Sequence, residues 1–255
     1  PHDYSRLWEL SRQAAHGKAL WVTEADRGLR YETHGPWYEY LPENELHKAR
    51  HIAQEYVNSL SAGCTRHFHF ILGNYSERSN QTQFGLLRED LTPRPAYVAL
   101  AAVGRLLAGA KFVTRWQPAE GSDAHVYVFD ARPDGIQRQV IVMWAEKPVD
   151  WPNRNQTTES WPLPNKLPVK QIYDYLGRPM EQPESIGGSA VFVVCPTDSL
   201  SPKTPVAPIE TPREAPTTSP VVLQVQMPRN QRAKIQPIEW AQGFEYRVPA
   251  EVPGP

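Results

Sequence analysis

The run Ala19-Leu20-Trp21-Val22-Thr23-Glu24-Ala25 decides how the first half of the chain reads. Its apolar residues, with β-branched Val22 and Thr23 among them, predict a short buried strand over 19–23. On a two-residue period Leu20, Val22 and Glu24 share one face, and Trp21 and Thr23 share the other. A carboxylate that follows two apolar residues on an inward face is costly to bury without a partner or a chemical task. Glu24 is therefore the first candidate for a catalytic group.

Upstream of this strand, Leu7, Trp8 and Leu10 lie at helical spacing behind Ser5, a cap residue, and Gly17 closes a helix over 5–15. Downstream comes a polar, aromatic loop over 25–44 with Tyr31, Trp37, Tyr38 and Tyr40. Leu46, Ala49, Ile52, Ala53, Tyr56, Val57 and Leu60 then recur at three- and four-residue steps, and Gly63 stops that helix. A second buried strand is predicted over 65–72, a second polar loop over 73–83, and a third helix over 95–108. Helix, strand, long loop, helix, strand, long loop, helix is the pattern of parallel βα units. In a closed βα barrel the loops after the strands gather at one end, where active sites are built. Only two such strands occur here, so six further barrel strands are expected upstream in the same parent chain. Pro1-His2-Asp3-Tyr4 and Val252-Pro253-Gly254-Pro255 both read as cut ends.

Beyond Phe112 the period changes. Residues 125–130, 139–144, 169–175 and 190–195 are strand-length apolar runs, separated by turns such as Pro133-Asp134-Gly135 and Gly187-Gly188. They predict a small all-β domain, a sandwich, that buttresses the barrel. From Ser199, prolines at 202, 205, 208, 212, 216 and 220 alternate with Thr, Ser and Glu and predict an extended tether. The expected organisation is a fragment of a TIM barrel over 1–112, a β-sandwich over 113–198 and a linker over 199–220. Residues 221–255 read as the start of another β module or a disordered tail.

Composition removes several classes. The 255 residues carry a net charge of -1, which gives no electrostatic case for nucleic acid or an anionic membrane. No segment reaches the roughly 18 consecutive apolar residues that span a bilayer. Two cysteines, Cys64 and Cys195, lie far apart in apolar contexts and read as buried free thiols.

Retaining glycoside hydrolysis uses two carboxyl groups about 5–5.5 Å apart, one nucleophilic and one acid/base. The nucleophile must be rigidly placed against the anomeric carbon, and a strand end does this better than a mobile loop. Leu20-Trp21-Val22-Thr23-Glu24-Ala25 resembles the seventh-strand motif of clan A glycoside hydrolases, the retaining (β/α)₈ enzymes of xylosidase- and cellulase-like families. Pro1-His2-Asp3-Tyr4 resembles the end of their sixth strand. Phe84-Gly85-Leu86-Leu87 and residues 92–100 resemble the run from the eighth loop into the last helix.

That resemblance, over about residues 1–196, implies Glu24 as nucleophile, with His2 and Tyr4 lining the sugar site and a β-sandwich following. It implies an oligo- or polysaccharide substrate, no cofactor and no metal. The family's acid/base Glu, usually preceded by Asn, has no counterpart in these residues. Phe70, Ile71 and Leu72 stand where the family often places a Trp. Localisation is not fixed, with an extracellular or periplasmic place favoured.

Each candidate has a plainer role beside the functional one. For Glu24 it is an ion pair with Arg27 or Arg30; for His2 and Tyr4 it is ordinary packing. A Tyr4 hydroxyl can also hold a nucleophilic carboxylate ionised. Trp37 and Tyr38 suit stacking on sugar rings or on their own barrel, and Asn74, Tyr75 and Glu77 suit hydroxyl contacts. His67 and His69 share a strand face and read as helix-facing or satisfied barrel histidines rather than metal ligands. Two rival classes are a carbohydrate-binding or scaffold protein that keeps a barrel remnant, and a barrel enzyme using Glu24 as general base.

Overall fold

The computed structural model describes residues 5–30, 42–77, 82–118, 120–145 and 158–200. The chain divides into two compact units, Pro1–Ile209 and Glu210–Pro255, and every described residue belongs to the first. The expected linker beyond 200 and the module over 221–255 lie outside the described residues.

The fold is mixed α/β. Helix α1 spans Ser5–Ala15, the range its periodicity predicts. Strand β1 (Leu20–Ala25) follows, then the two-residue β2 (Leu29–Arg30) and the long α2 (Pro42–Ser61). Gly63, at φ 87°, turns the chain out of α2, and its N–H bonds the Leu60 carbonyl. Strand β3 (Cys64–His69) then pairs with β1 in parallel, as a βαβ unit requires. It ends earlier than the run over 65–72 suggests, because Ile71 and Leu72 carry on as irregular, exposed chain.

The loop after β3 is not structureless. Strands β4 (Tyr75–Glu77) and β5 (Thr82–Phe84) form a hairpin that β2 joins, giving a three-stranded sheet in the order β2-β5-β4. Such two- and three-residue strands are too short to show a period in sequence. Gly85 leaves the hairpin at φ 113°, where a Cβ would meet the Gly73 carbonyl oxygen at 2.3 Å. Helix α3 (Pro95–Leu106) opens with Pro95 in its first turn, where a missing N–H costs nothing.

Six strands make the largest sheet: β6 (Lys111–Arg115), β7 (Ala124–Ala131), β8 (Arg138–Ala145), β10 (Gln171–Tyr173), β11 (Pro179–Met180) and β13 (Val191–Cys195). Their spatial order is β11-β10-β13-β8-β7-β6, antiparallel throughout. Strands β9 (Glu159–Ser160) and β12 (Ser185–Ile186) pair separately. Alternation along β7, β8 and β13 divides two cores. Tyr127, Phe129, Val142, Trp144 and Phe192 pack with Ala49, Ile52 and Val57 of α2 and Ala99, Val103 and Leu106 of α3. Val126, Val128, Ile141, Met143 and Val193 face the other way, under Leu163, Ile186 and Leu200. Both faces are covered, which is why these strands read as continuous apolar runs. Cys64 and Cys195 are buried free thiols, and burial pushes Cys195 up to about 11.

Candidate active site

Glu24 stands near the end of β1, on the fourth-to-fifth step of a strand whose two sides differ. Leu20 and Val22 are half-buried against the helix side, whereas Trp21, Thr23 and Glu24 are all exposed. The two-residue period therefore fails at Glu24, and the register explains it. Val22 lies opposite His67 and Ala25 opposite His69, so Thr23 and Glu24 together oppose the single residue Phe68. This is a β-bulge, the extra residue that re-aims a side chain next to a site. It moves Glu24 from the face of Leu20 and Val22, where sequence places it, to the open face of Trp21 and Phe68. No hydrogen bond or ion pair of its carboxylate is seen among the described residues, and the side chain of Arg30, one of the two arginines expected to pair with it, lies outside them.

The open face is aromatic. Trp21 is 55% exposed and Phe68 49%, with ring centroids 6.5 Å apart and the Arg66 guanidinium 5.3 Å from the Trp21 ring. The opposite face of β1 and β3 packs on α2. His67 there accepts or donates to Ser59 Oγ at 2.7 Å through Nδ1 and bonds Glu55 Oε1 at 2.9 Å through Nε2, while Tyr56 stacks on its ring at 4.0 Å. It is the helix-facing, satisfied histidine that the alternation predicts. Burial and the Glu55 charge push the Tyr56 phenol up to about 12.

Deeper along the same face lies a group that sequence reasoning missed. Asp26, two residues past Glu24, bonds Lys48 Nζ of α2 at 2.5 Å, and each side chain is 1% exposed. His69 Nε2 stands 3.5 Å from the other Asp26 oxygen, and neither ring nitrogen of His69 has a hydrogen-bond partner among the described residues. Burial pushes the Asp26 carboxyl up to about 6, an effect that Lys48 opposes. Burial likewise lowers Lys48, with Asp26 opposing. His69 is pushed down to about 3, first by burial and then by the Lys48 and His67 charges. At neutral pH this leaves a buried ion pair beside a neutral imidazole. A signal was present in sequence: Lys48, Ile52, Glu55 and Ser59 recur at helical steps along the side of α2 that meets the two histidines.

The loop after β3 is held by a second charged network. Glu45 of α2 bonds Arg94 at 2.7 Å and Arg88 at 2.5 Å. Arg94 reaches on to Asn74 Oδ1 at 3.1 Å, which also accepts from Gln83 Nε2 at 2.7 Å. The oxygen of Asn74 is thus occupied in fixing the loop, and only its amide nitrogen is left to donate elsewhere. Tyr75 is 46% exposed and packs edge-on to Phe70 and beside Phe84. His2, Tyr4, Trp37 and Tyr38 lie outside the described residues. Glu24 lies near the carboxyl end of β1, and Asn74 and Tyr75 follow the carboxyl end of β3.

No family model matches the chain, and no curated protein matches it. Among solved structures it is similar to a family 39 glycoside hydrolase from the gut symbiont Bacteroides cellulosilyticus WH2, with a TM-score of 0.51 and 19% identity. The match covers 74% of this chain and 37% of that one, so the chain spans little more than a third of that neighbour's length. At this identity the likeness is one of fold.

Proposed function

We propose that the chain is the C-terminal part of a retaining glycoside hydrolase that cleaves O-glycosidic bonds in oligo- or polysaccharides, with Glu24 as its nucleophile. The observation that carries this reading is the bulge at Thr23 and Glu24, which sets a carboxylate with no partner among the described residues on the open face at the carboxyl end of a parallel strand. The fold likeness to a glycoside hydrolase supports the same class. So does the exposed pair Trp21 and Phe68, which the closed interior of a (β/α)₈ barrel would cover. The remaining barrel strands and the acid/base carboxyl are assigned to sequence outside this chain.

In this mechanism Glu24 attacks the anomeric carbon while the acid/base group protonates the departing oxygen. A covalent glycosyl–Glu24 ester results. Water then attacks the anomeric carbon, loses a proton to the same acid/base group and releases the sugar with retained configuration. The six-stranded sheet, packed on α2 and α3, is assigned to buttress the barrel, and Tyr75, the Asn74 amide, His2, Tyr4, Trp37 and Tyr38 are assigned to sugar contacts.

The test compares the full-length protein with its Glu24→Gln variant on aryl glycosides. The variant is expected to lose about a thousandfold or more in kcat, the size of loss that follows removal of a nucleophile. Comparable turnover in both proteins overturns the assignment.

A further inference from the structure

The Asp26 carboxylate lies where four pieces of chain meet. It follows β1 directly; Lys48 comes from α2; His69 ends β3; and the backbone N–H of Gly85, after β5, approaches the same carboxylate. The last ladder bond between the two parallel strands, from the Phe70 N–H to the Ala25 carbonyl at 2.9 Å, sits beside it. The Thr23–Glu24 bulge is thus bounded on one side by the regular pair Val22–His67 and on the other by this buried junction. A bulge has fewer ladder bonds than a regular strand, so its geometry must be fixed by whatever grips its ends.

We propose that Asp26, Lys48 and His69 are positioning residues for Glu24: the buried Lys48–Asp26 bond, with His69 packed against it, pins the end of β1 and so holds the bulge that presents the carboxylate. This rests on the glycosidase reading for its catalytic consequence, although the anchoring itself is a property of this chain. All three side chains are almost fully buried, so each acts through the backbone between Ala25 and Phe70. Arg94 and Glu55 are the other charged groups that bear on the junction, and His67, already bonded to Glu55 and Ser59, faces it from β3.

The experiment uses the full-length protein and three variants: Asp26→Asn, Lys48→Met, and the two combined. The combined variant removes both charges at similar volume, so it leaves no buried ion unpaired and is the one expected to fold. Amide exchange at Phe70 is followed against amides of β7 and β8, and kcat and KM are measured on an aryl glycoside. The expected result is faster exchange at Phe70 with β7 and β8 unchanged, and a kcat about tenfold or more lower at nearly constant KM. Unchanged Phe70 exchange in the folded combined variant overturns the anchoring. Faster exchange with full kcat overturns the positioning role. Should Glu24→Gln hydrolyse as well as the unaltered protein, the glycosidase reading falls and the catalytic half of this one with it, while Phe70 exchange still decides the anchor.

Discussion

The six-stranded sheet and the β1–β3 pair treat their two faces in opposite ways. In the large sheet both faces are sealed: α2 and α3 cover one, and the chain around Leu163, Ile186 and Leu200 covers the other. Phe129, Val142 and Val193 are each 0% exposed, and the charged residues of β7 and β8 sit at strand ends. In the β1–β3 pair one face packs on α2 through Asp26, Lys48, His67 and His69, and the other leaves Trp21, Phe68 and Glu24 open. Volume holds the first region and charge holds the second. Buried charge contributes little net stability compared with well-packed hydrocarbon, so its concentration below Glu24 marks a place where geometry matters more than stability.

That contrast can be broken by mutation. Lys48→Met leaves the Asp26 carboxylate buried without a counter-ion and is expected to cost about 3–5 kcal/mol in urea unfolding. Adding Asp26→Asn should recover much of it, because coupled sites are not additive. A Lys48→Met cost below about 1 kcal/mol would mean that charge does not hold this region. Phe129→Ala probes the other side of the comparison and should also cost about 3–5 kcal/mol, with no recovery from any charge change.

A third prediction uses pH. His69 is held neutral down to about 3, well below its ordinary value of 6.5. The unfolded chain therefore binds a proton that the folded one refuses. Its contribution to stability is complete above about 6.5 and is lost as pH falls towards 3, with a ceiling of about 4–5 kcal/mol. Asp26 works against this. Its carboxyl, raised to about 6, takes a proton in the folded state first, so its contribution falls as pH rises from about 4 to 6. The two largely offset each other between pH 7 and 4, so unfolding should show a nearly level profile in the unaltered protein, whereas His69→Gln, left with the Asp26 contribution alone, should gain stability as pH falls from 6 to 4. A level profile in His69→Gln as well would contradict this balance. The smallest effect is reserved for the open face: Phe68→Ala should cost this chain less than about 1 kcal/mol, since half of that ring is already in water. A cost like that of Phe129→Ala would show that the face is covered after all.

The same division governs what could be read from sequence. α1 was legible to the residue because Ser5, the Leu7 and Leu10 spacing and Gly17 agree. β7, β8 and β13 were legible because strands sealed on both faces are apolar throughout. β6 was missed: Lys111-Phe112-Val113-Thr114-Arg115 follows α3 closely and mixes charge with apolar residues at the sheet's edge. The bulge was illegible because it exists only in the register of β1 against β3, which no single strand encodes. Lys48 was passed over because a lysine beside an apolar stripe is ordinarily a solvated one, and Asp26 because its partner is 22 residues away. Glu24 itself was identified from its place at the strand end, while the face it occupies needed the structure.

The nucleophile role proposed for Glu24 requires a covalent bond from its carboxylate to sugar. Its most direct measurement is mass spectrometry of the full-length protein after reaction with an activated 2-deoxy-2-fluoro glycoside, which slows release of the glycosyl intermediate. A single added glycosyl group is expected on the peptide containing Trp21-Val22-Thr23-Glu24, absent from Glu24→Gln. Hydrolysis of the parent glycoside with the label on another carboxylate would contradict it.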